Sequence, residues 1–322
     1  MKLDKTKIKL FSTIGSRATF GLVCLDLAKT VDNLMVLTSD VSTSAGLDRF
    51  KTMHPDKYLD VGIAEQNLIG VATGLSTGGH NVFTTTFAPF QTMRCFEQIK
   101  VNLGYMKKKV TMVGIASGVV LGTLGFTHCS IEDISLMRSI PGMTVISPAD
   151  CGEVAKSIFA AANYDGPVYI RLTGSNNNPV VYNEDYDFQI GKTIKLEEGT
   201  DITIFATGSM VSYSIEASKI LKKNNISASV INVHTIKPLD KDSVNKNSDN
   251  KKLIITVEEH SIIGGLSSAI AEANKNLKNR PKQLSLSLPD KYFHGGEYFD
   301  LLNKFNLNPE GIAKNIIKNL KN

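Results

Sequence analysis

Short apolar runs rich in β-branched residues alternate along the chain with longer stretches in which apolar positions recur every three to four residues. That alternation predicts strands joined by helical crossovers, and with it an α/β protein whose mainly parallel sheets carry helices on both faces. In the first half the pattern predicts strands at 33–38, 81–85, 110–115, 143–146 and 167–172, with helices at 16–30, 63–77, 89–103, 131–139 and 151–163. Boundary chemistry agrees, since Gly78-Gly79 follows an apolar helix and Pro148-Ala149-Asp150 precedes another. Further strands are expected at 202–209, 228–233, 252–260 and 283–288, with helices at 211–223, 266–276 and 309–320. Between 174 and 200 the periodicity fades into Asn-rich and then acidic, aromatic text. The expected organisation is therefore a first domain over 1–185, a linker over 186–200 and a smaller second domain over 201–322.

Composition narrows the function classes. With 322 residues, 42% of them hydrophobic, the chain can pack two domains and is far too apolar for disorder. The net charge of +5 comes from dispersed lysines rather than blocks, which argues against a nucleic-acid or anionic-membrane role. The opening MKLDKTKIKL is punctuated by charge, and no later segment approaches the roughly 20 uninterrupted apolar residues of a membrane span, so a soluble, cytoplasmic protein is expected. Cys24, Cys95, Cys129 and Cys151 are scattered without Cys-x-x-Cys spacing and read as buried thiols, not as a zinc site or a disulfide frame. Neither G-x-G-x-x-G after a strand nor G-x-x-x-x-G-K-[ST] occurs, so the common dinucleotide and P-loop sites are not written here.

Three segments carry chemistry. In Asp60-Val-Gly-Ile-Ala-Glu-Gln-Asn67, Glu65 reads either as a helix-start carboxylate or as a lone acid on a small, apolar helix, suited to sharing a proton with a ring nitrogen. In Phe83-Thr-Thr-Thr-Phe-Ala-Pro-Phe90, a strand ends and a helix begins, and Phe87 and Phe90 read either as core or as a platform for a flat ring at a strand's carboxyl end. The glycine-rich run from Gly118 to His128 lets backbone approach a ligand and ends in a histidine able to donate a hydrogen bond or move a proton; a capping-turn histidine is the alternative.

These runs, GIAEQNLIGVATGLSTGG, TTFAPF and the loop to THCSIEDISLMRSIPGM and SPAD, resemble in order and context the pyrimidine-binding domain of transketolases and their thiamine-diphosphate relatives. VINVHTIKPLD and LIITVEEHSIIGGLSSAIAE resemble the same family's C-terminal domain, so that the likeness runs from about Arg17 to the end. The resemblance implies thiamine diphosphate as cofactor. Transketolases hold its diphosphate and Mg2+ on a separate domain bearing Gly-Asp-Gly, which this sequence lacks. The chain thus looks like one subunit of a split transketolase, with Mg2+ and diphosphate held by a diphosphate-binding partner subunit and two copies of each subunit in the active form.

Residue by residue, the resemblance implies that Glu65 hydrogen-bonds the pyrimidine nitrogen opposite the amino group, that Phe87 stacks on the ring with Phe90 behind it, and that Asp40 contacts the coenzyme. Ser44, His128 and Arg17 would face the sugar, Arg17 at its phosphate end. The departures fall on the substrate side. Leu124 stands where a hydroxyl-reading aspartate is found, Ala116 where a phosphate-contacting histidine is found, and Gly174 where a phosphate-binding arginine is expected, leaving Arg171 as the nearby guanidinium. The implied reaction is transfer of a two-carbon ketol unit from a ketose to an aldose, with a sugar altered from the pentose phosphates. The alternatives are a related carboligase or 2-oxo acid dehydrogenase beta-type subunit, separable by carbon dioxide release, and a non-catalytic paralogue.

Overall fold

In the computed structural model, which describes residues 1–321, the strands and helices run in this order. The first half holds α1 (Lys5–Leu27), β1 (Leu34–Thr38), α2 (Asp48–Met53), β2 (Tyr58–Asp60), α3 (Glu65–Thr77), β3 (Asn81–Phe87), α4 (Ala88–Thr92), α5 (Phe96–Gln98), β4 (Val110–Ile115), α6 (Asp133–Ser139), β5 (Thr144–Ile146), α7 (Cys151–Ala162) and β6 (Val168–Arg171). The second holds β7 (Ile194–Glu197), β8 (Ile202–Ala206), α8 (Met210–Lys223), β9 (Ala228–Asn232), β10 (Thr235–Lys237), α9 (Lys241–Ser248), β11 (Leu253–Ser261), α10 (Leu266–Ala273), β12 (Lys282–Leu288), α11 (Tyr298–Lys304) and α12 (Pro309–Lys321).

Two sheets result, ordered β10-β5-β6-β4-β3-β1-β2 and β12-β11-β8-β9-β7. Every pair is parallel except β10–β5 and β7–β9 at the edges, as the alternation predicts. Side chains of the central strands alternate between faces. Val113, Ile115 and Ile170 pack with Phe20, Val23 and Leu27 of α1 and Ala155, Ile158 and Ala161 of α7, whereas Met112 and Tyr169 pack with Leu68, Ile69 and Ala72 of α3 and Met137 of α6. Each such Leu or Ile buried contributes about 2 kcal/mol. All four cysteines are buried and unpaired.

The differences from expectation have local causes. The charged start is helical because Asp4 caps it, accepting from Lys7 N at 2.8 Å, and because Ile8 and Phe11 reach the core. α1 has the length and composition of a membrane-crossing helix, yet its apolar face lies against the sheet and α7. The helix expected over 89–103 is broken into α4, α5 and a π-helical turn at Ile99–Tyr105. The stretch expected as a linker contains β7, whose alternating half-buried and exposed residues suit an edge strand. Most consequential, β10 leaves the second half of the chain and pairs antiparallel with β5 of the first sheet, Thr235 opposite Ile146.

Candidate functional site

Because β1 to β4 and β6 are mutually parallel, the loops that follow them emerge at one carboxyl edge, where ligands bind in open α/β sheets. Asp40 follows β1, exposed and at φ 57°. Its N–H donates to Asp60 Oδ1 at 3.0 Å, and Gly62 N–H donates to the same oxygen at 2.9 Å. Ser39 Oγ donates to Gly62 O and accepts from Ala64 N. The loop bearing Asp40 is thus tied to the turn that delivers Glu65. Ser44 sits half-buried in the next turn, closed by Ala45 N to Val41 O at 2.9 Å.

Glu65 is the first residue of α3 and only 4% exposed. Its place in the first turn of α3 fits the helix-start reading, but among the described residues no first-turn amide donates to it, so it is not a capping carboxylate. It is not a lone acid either: Arg94 Nη1 donates to Oε2 at 2.7 Å, and no donor among the described residues reaches Oε1. Arg94 links Glu65 to the aromatics. Its guanidinium carbon lies 4.2 Å from the Phe90 ring centre, and Phe90 meets Phe87 at 6.2 Å and His128 at 5.3 Å, both edge-on. Phe87 and His128 close the group at 6.0 Å, and Thr127 Oγ1 contacts His128 Nδ1 at 3.0 Å. Phe87, Phe90 and His128 remain partly open to solvent. Glu65, Phe87, Phe90 and His128, drawn from three separate segments, therefore form one constellation with Arg94, which hydrophobic patterning gives no reason to single out.

Arg17 lies elsewhere on the same edge. With Ser16, Val120, Leu121, Gly174, Ser175 and Asn176 it lines a cleft of about 280 Å³. Gly174 is not simply an arginine trimmed away, since its φ is +79° and a Cβ there would collide with the Asn178 carboxamide. The loop is built for glycine. Ala116 is buried at the end of β4, and Leu124 is 55% exposed on the glycine-rich loop.

Arg171 corrects the sequence expectation. It is fully buried, with Nε to Asp133 Oδ2 at 2.9 Å, Nη2 to Asp133 Oδ1 at 3.2 Å and Nη2 to the Glu259 carbonyl at 3.2 Å. Tyr169 Oη adds a bond to Asp133 at 2.7 Å. Burial opposes ionisation of Asp133, but Arg171 and then His260 outweigh it and hold the carboxyl below its ordinary range. This guanidinium is buried, its Nε and Nη2 taken by Asp133 and the Glu259 carbonyl and its Nη1 without a partner among the described residues. Beside it, Glu259 of β11 accepts from Val119 N at 2.8 Å, Ser209 Oγ at 2.9 Å and Tyr298 Oη at 2.8 Å. A Cβ at Gly118 would strike that carboxylate, so glycine is required for the loop to rest on it. Gly118 and Ser130 pair through N–H to O bonds of 2.9 and 2.8 Å and close the neck of the loop that presents His128. The second half of the chain thereby props the loop of the first. Only the acidic pair in VEEH, within an apolar strand, marks Glu259 in the sequence.

No group of three or more His, Cys, Asp or Glu gathers in a way that could hold a metal ion among the described residues. Residues 12–179 match the family model described as transketolase, pyrimidine binding domain, and residues 191–312 match transketolase, C-terminal domain. The chain is 34% identical over 309 residues to one of the subunits of an apulose-4-phosphate transketolase from Phocaeicola vulgatus, covering 96% of this chain and 98% of that one. It is 39% identical over 258 residues to a 6-deoxy-6-sulfo-D-fructose transketolase subunit of Clostridium sp. (strain MSTE9), covering 80% and 79%. Among solved structures, one described as a split gene transketolase, inactive beta4 tetramer, superposes with a TM-score of 0.86 at 35% identity, covering 96% of this chain and 99% of that one.

Proposed function

The chain belongs to the transketolase family, and from that premise we propose that it activates the coenzyme and reads the sugar in a two-chain, thiamine diphosphate-dependent transketolase acting on a sugar other than the ordinary pentose phosphates. The observation that carries this reading is the buried Glu65, joined through Arg94 to the Phe90, Phe87 and His128 group, with Oε1 left free of protein donors among the described residues. A single carboxylate oxygen and an aromatic rim suit the pyrimidine half of the coenzyme, and Mg2+ and the diphosphate are assigned to the partner chain. When bound, thiamine diphosphate supplies the nucleophilic thiazolium carbon that carries the two-carbon unit.

The residues of this chain have separate tasks. Glu65 holds the proton shared with the pyrimidine nitrogen, and its burial keeps water from competing for it. Phe87, backed by Phe90, offers the ring face. Asp40 lies on the loop tied to the turn before Glu65, on the coenzyme side. His128 and Ser44 face the reacting end of the sugar, and Arg17 the far end.

The altered substrate is supported from two directions. Arg171 is withdrawn into the core and a side chain at Gly174 would be strained and crowd Asn178, which leaves Arg17 as the guanidinium lining the cleft among the described residues. A phosphorylated end there forgoes bidentate contacts it would otherwise make. The relatives named for apulose 4-phosphate and sulfofructose likewise act outside the usual pentose phosphates. The split-gene relative described as an inactive beta4 tetramer supports a requirement for a second chain, and an assembly of two copies of each is the closed, symmetric arrangement proposed for it.

The test uses the complex reconstituted with the diphosphate-binding chain. Glu65→Gln is expected to slow hydrogen–deuterium exchange at the thiazolium carbon by about 10²–10⁴ while assembly persists. Wild-type exchange in that variant overturns the role of Glu65. Ordinary transketolase efficiency on xylulose 5-phosphate and ribose 5-phosphate overturns the altered substrate alone.

A further inference from the structure

The contact between Arg94 and Glu65 has a geometry that a surface ion pair does not need. Glu65 is almost wholly buried, yet Arg94 takes only Oε2, through a single Nη1 donor at 2.7 Å. The arginine side chain is 43% exposed, so the pair itself adds little to stability. Its backbone, by contrast, is held on two sides. Gln66 Nε2, on the same helix as Glu65, donates to the Arg94 carbonyl at 3.2 Å, and Arg94 N donates to Pro89 O at 3.3 Å. Gln91 bolts this turn to β3, accepting from Thr86 N at 2.8 Å and donating to Thr84 Oγ1 at 2.6 Å. The guanidinium then rests on Phe90, itself in contact with Phe87 and His128.

Resting on the proposed role of Glu65 toward the pyrimidine, we infer that Arg94 is the positioning residue for this acid: it holds one carboxylate oxygen against the aromatic wall so that the other is presented to the pyrimidine ring. A carboxylate on rotatable side-chain bonds has several orientations, and a donor fixed at one oxygen removes most of them before the coenzyme arrives. The monodentate contact matters here. A bidentate one would occupy both oxygens and close the acid to any ligand.

The experiment compares Arg94→Met, Arg94→Lys, Glu65→Gln and the Glu65→Gln/Arg94→Met double variant in the reconstituted two-chain complex. Coenzyme affinity is measured calorimetrically with Mg2+ present, and proton exchange at the thiazolium carbon separately. Arg94→Met is expected to weaken coenzyme binding about fivefold or more and to slow exchange about tenfold or more, with Arg94→Lys recovering most of both. In the Glu65→Gln background Arg94→Met should change affinity by less than about twofold, since the group it orients is gone. Wild-type binding and exchange in Arg94→Met overturn the inference. Tighter binding does so too, making the arginine an obstacle, as does equal damage in the Glu65→Gln background. Should Glu65→Gln exchange like the wild type, the role of Glu65 and the inference fall together; if it is inactive while Arg94→Met is normal, only the inference falls.

Discussion

Replacing Arg171 by methionine separates two roles for one residue. As a substrate contact it would affect sugar affinity and leave stability alone; as the partner of Asp133 it does the reverse. Truncation removes three hydrogen bonds at 2.9–3.2 Å, two of them to a carboxylate that is fully buried. Removing one member of such a pair leaves an uncompensated charge and costs about 3–5 kcal/mol. A chain of 322 residues loses about 0.7 kcal/mol per degree near its midpoint, so the thermal midpoint should fall by about 4–7 °C. The pH dependence also reverses for Asp133. With Arg171 present the carboxyl is held low, and its contribution, complete above the ordinary carboxylate range, is lost as pH falls through and below that range. Without Arg171 burial dominates and the carboxyl is pushed up, so the variant recovers stability as pH falls from 7 to 5, where the wild type gains nothing from this group. Adding Asp133→Leu should return about half of the loss or more, because the orphaned charge leaves with it. Denaturant unfolding at both pH values measures each quantity. A loss below about 1 kcal/mol accompanied by weakened sugar binding would refute the structural role.

Gly174→Arg tests whether the missing guanidinium can be put back: with φ at +79° and Asn178 in the way, it should destabilise by about 1–3 kcal/mol and bring no gain in kcat/KM on phosphosugars, and a tenfold gain would show that the loop accepts the side chain. His234 is fully buried against Phe188, with Nε2 unpartnered, and burial pushes its pKa down to about 4 despite Asp240. Its contribution is therefore present above pH 6.5 and lost as pH falls towards 4, by about 3 kcal/mol, whereas buried Asp150, pushed up to about 6, works in the opposite direction. His234→Phe should remove the first contribution and leave the second, so that acid unfolding followed by circular dichroism shifts to lower pH; an unchanged acid limb would exclude His234 as its source.

How far the sequence speaks depends on whether a signal is periodic or spatial. β4 was legible to the residue because Val110–Ile115 is an uncharged, largely apolar run that follows three lysines, and a buried parallel strand has no other way to look. β10 was not, since three residues ending before a proline resemble any loop and their partner lies 89 positions away, Thr235 against Ile146. Glu65, Phe87, Phe90 and His128 could be named because Glu65 and Phe87 sit at element boundaries, Phe90 lies just past one, and His128 ends a glycine-rich run, each with distinctive neighbours. Arg94 and Arg171 show the limit: a lone arginine in PFQTMRCFEQ and another ending VYIR give no hint that the first reaches the acid and the second vanishes into the core. Burial of a charge is decided by its partner, and the partners lie 29 and 38 residues distant.

The antiparallel strand that the second half lends to the first sheet bears on how this polypeptide can be cut. A protease entering between residues 174 and 193 severs one peptide bond, but Thr235–Lys237 still closes the edge of β5, and Glu259 still grips Val119. The fragments would stay together as a nicked pair and melt in one transition. Made separately, the first fragment would present β5 as an open edge, a template for pairing with other copies of itself. Its solubility would then be restored by supplying the second fragment in trans, much as a missing strand is donated between chains.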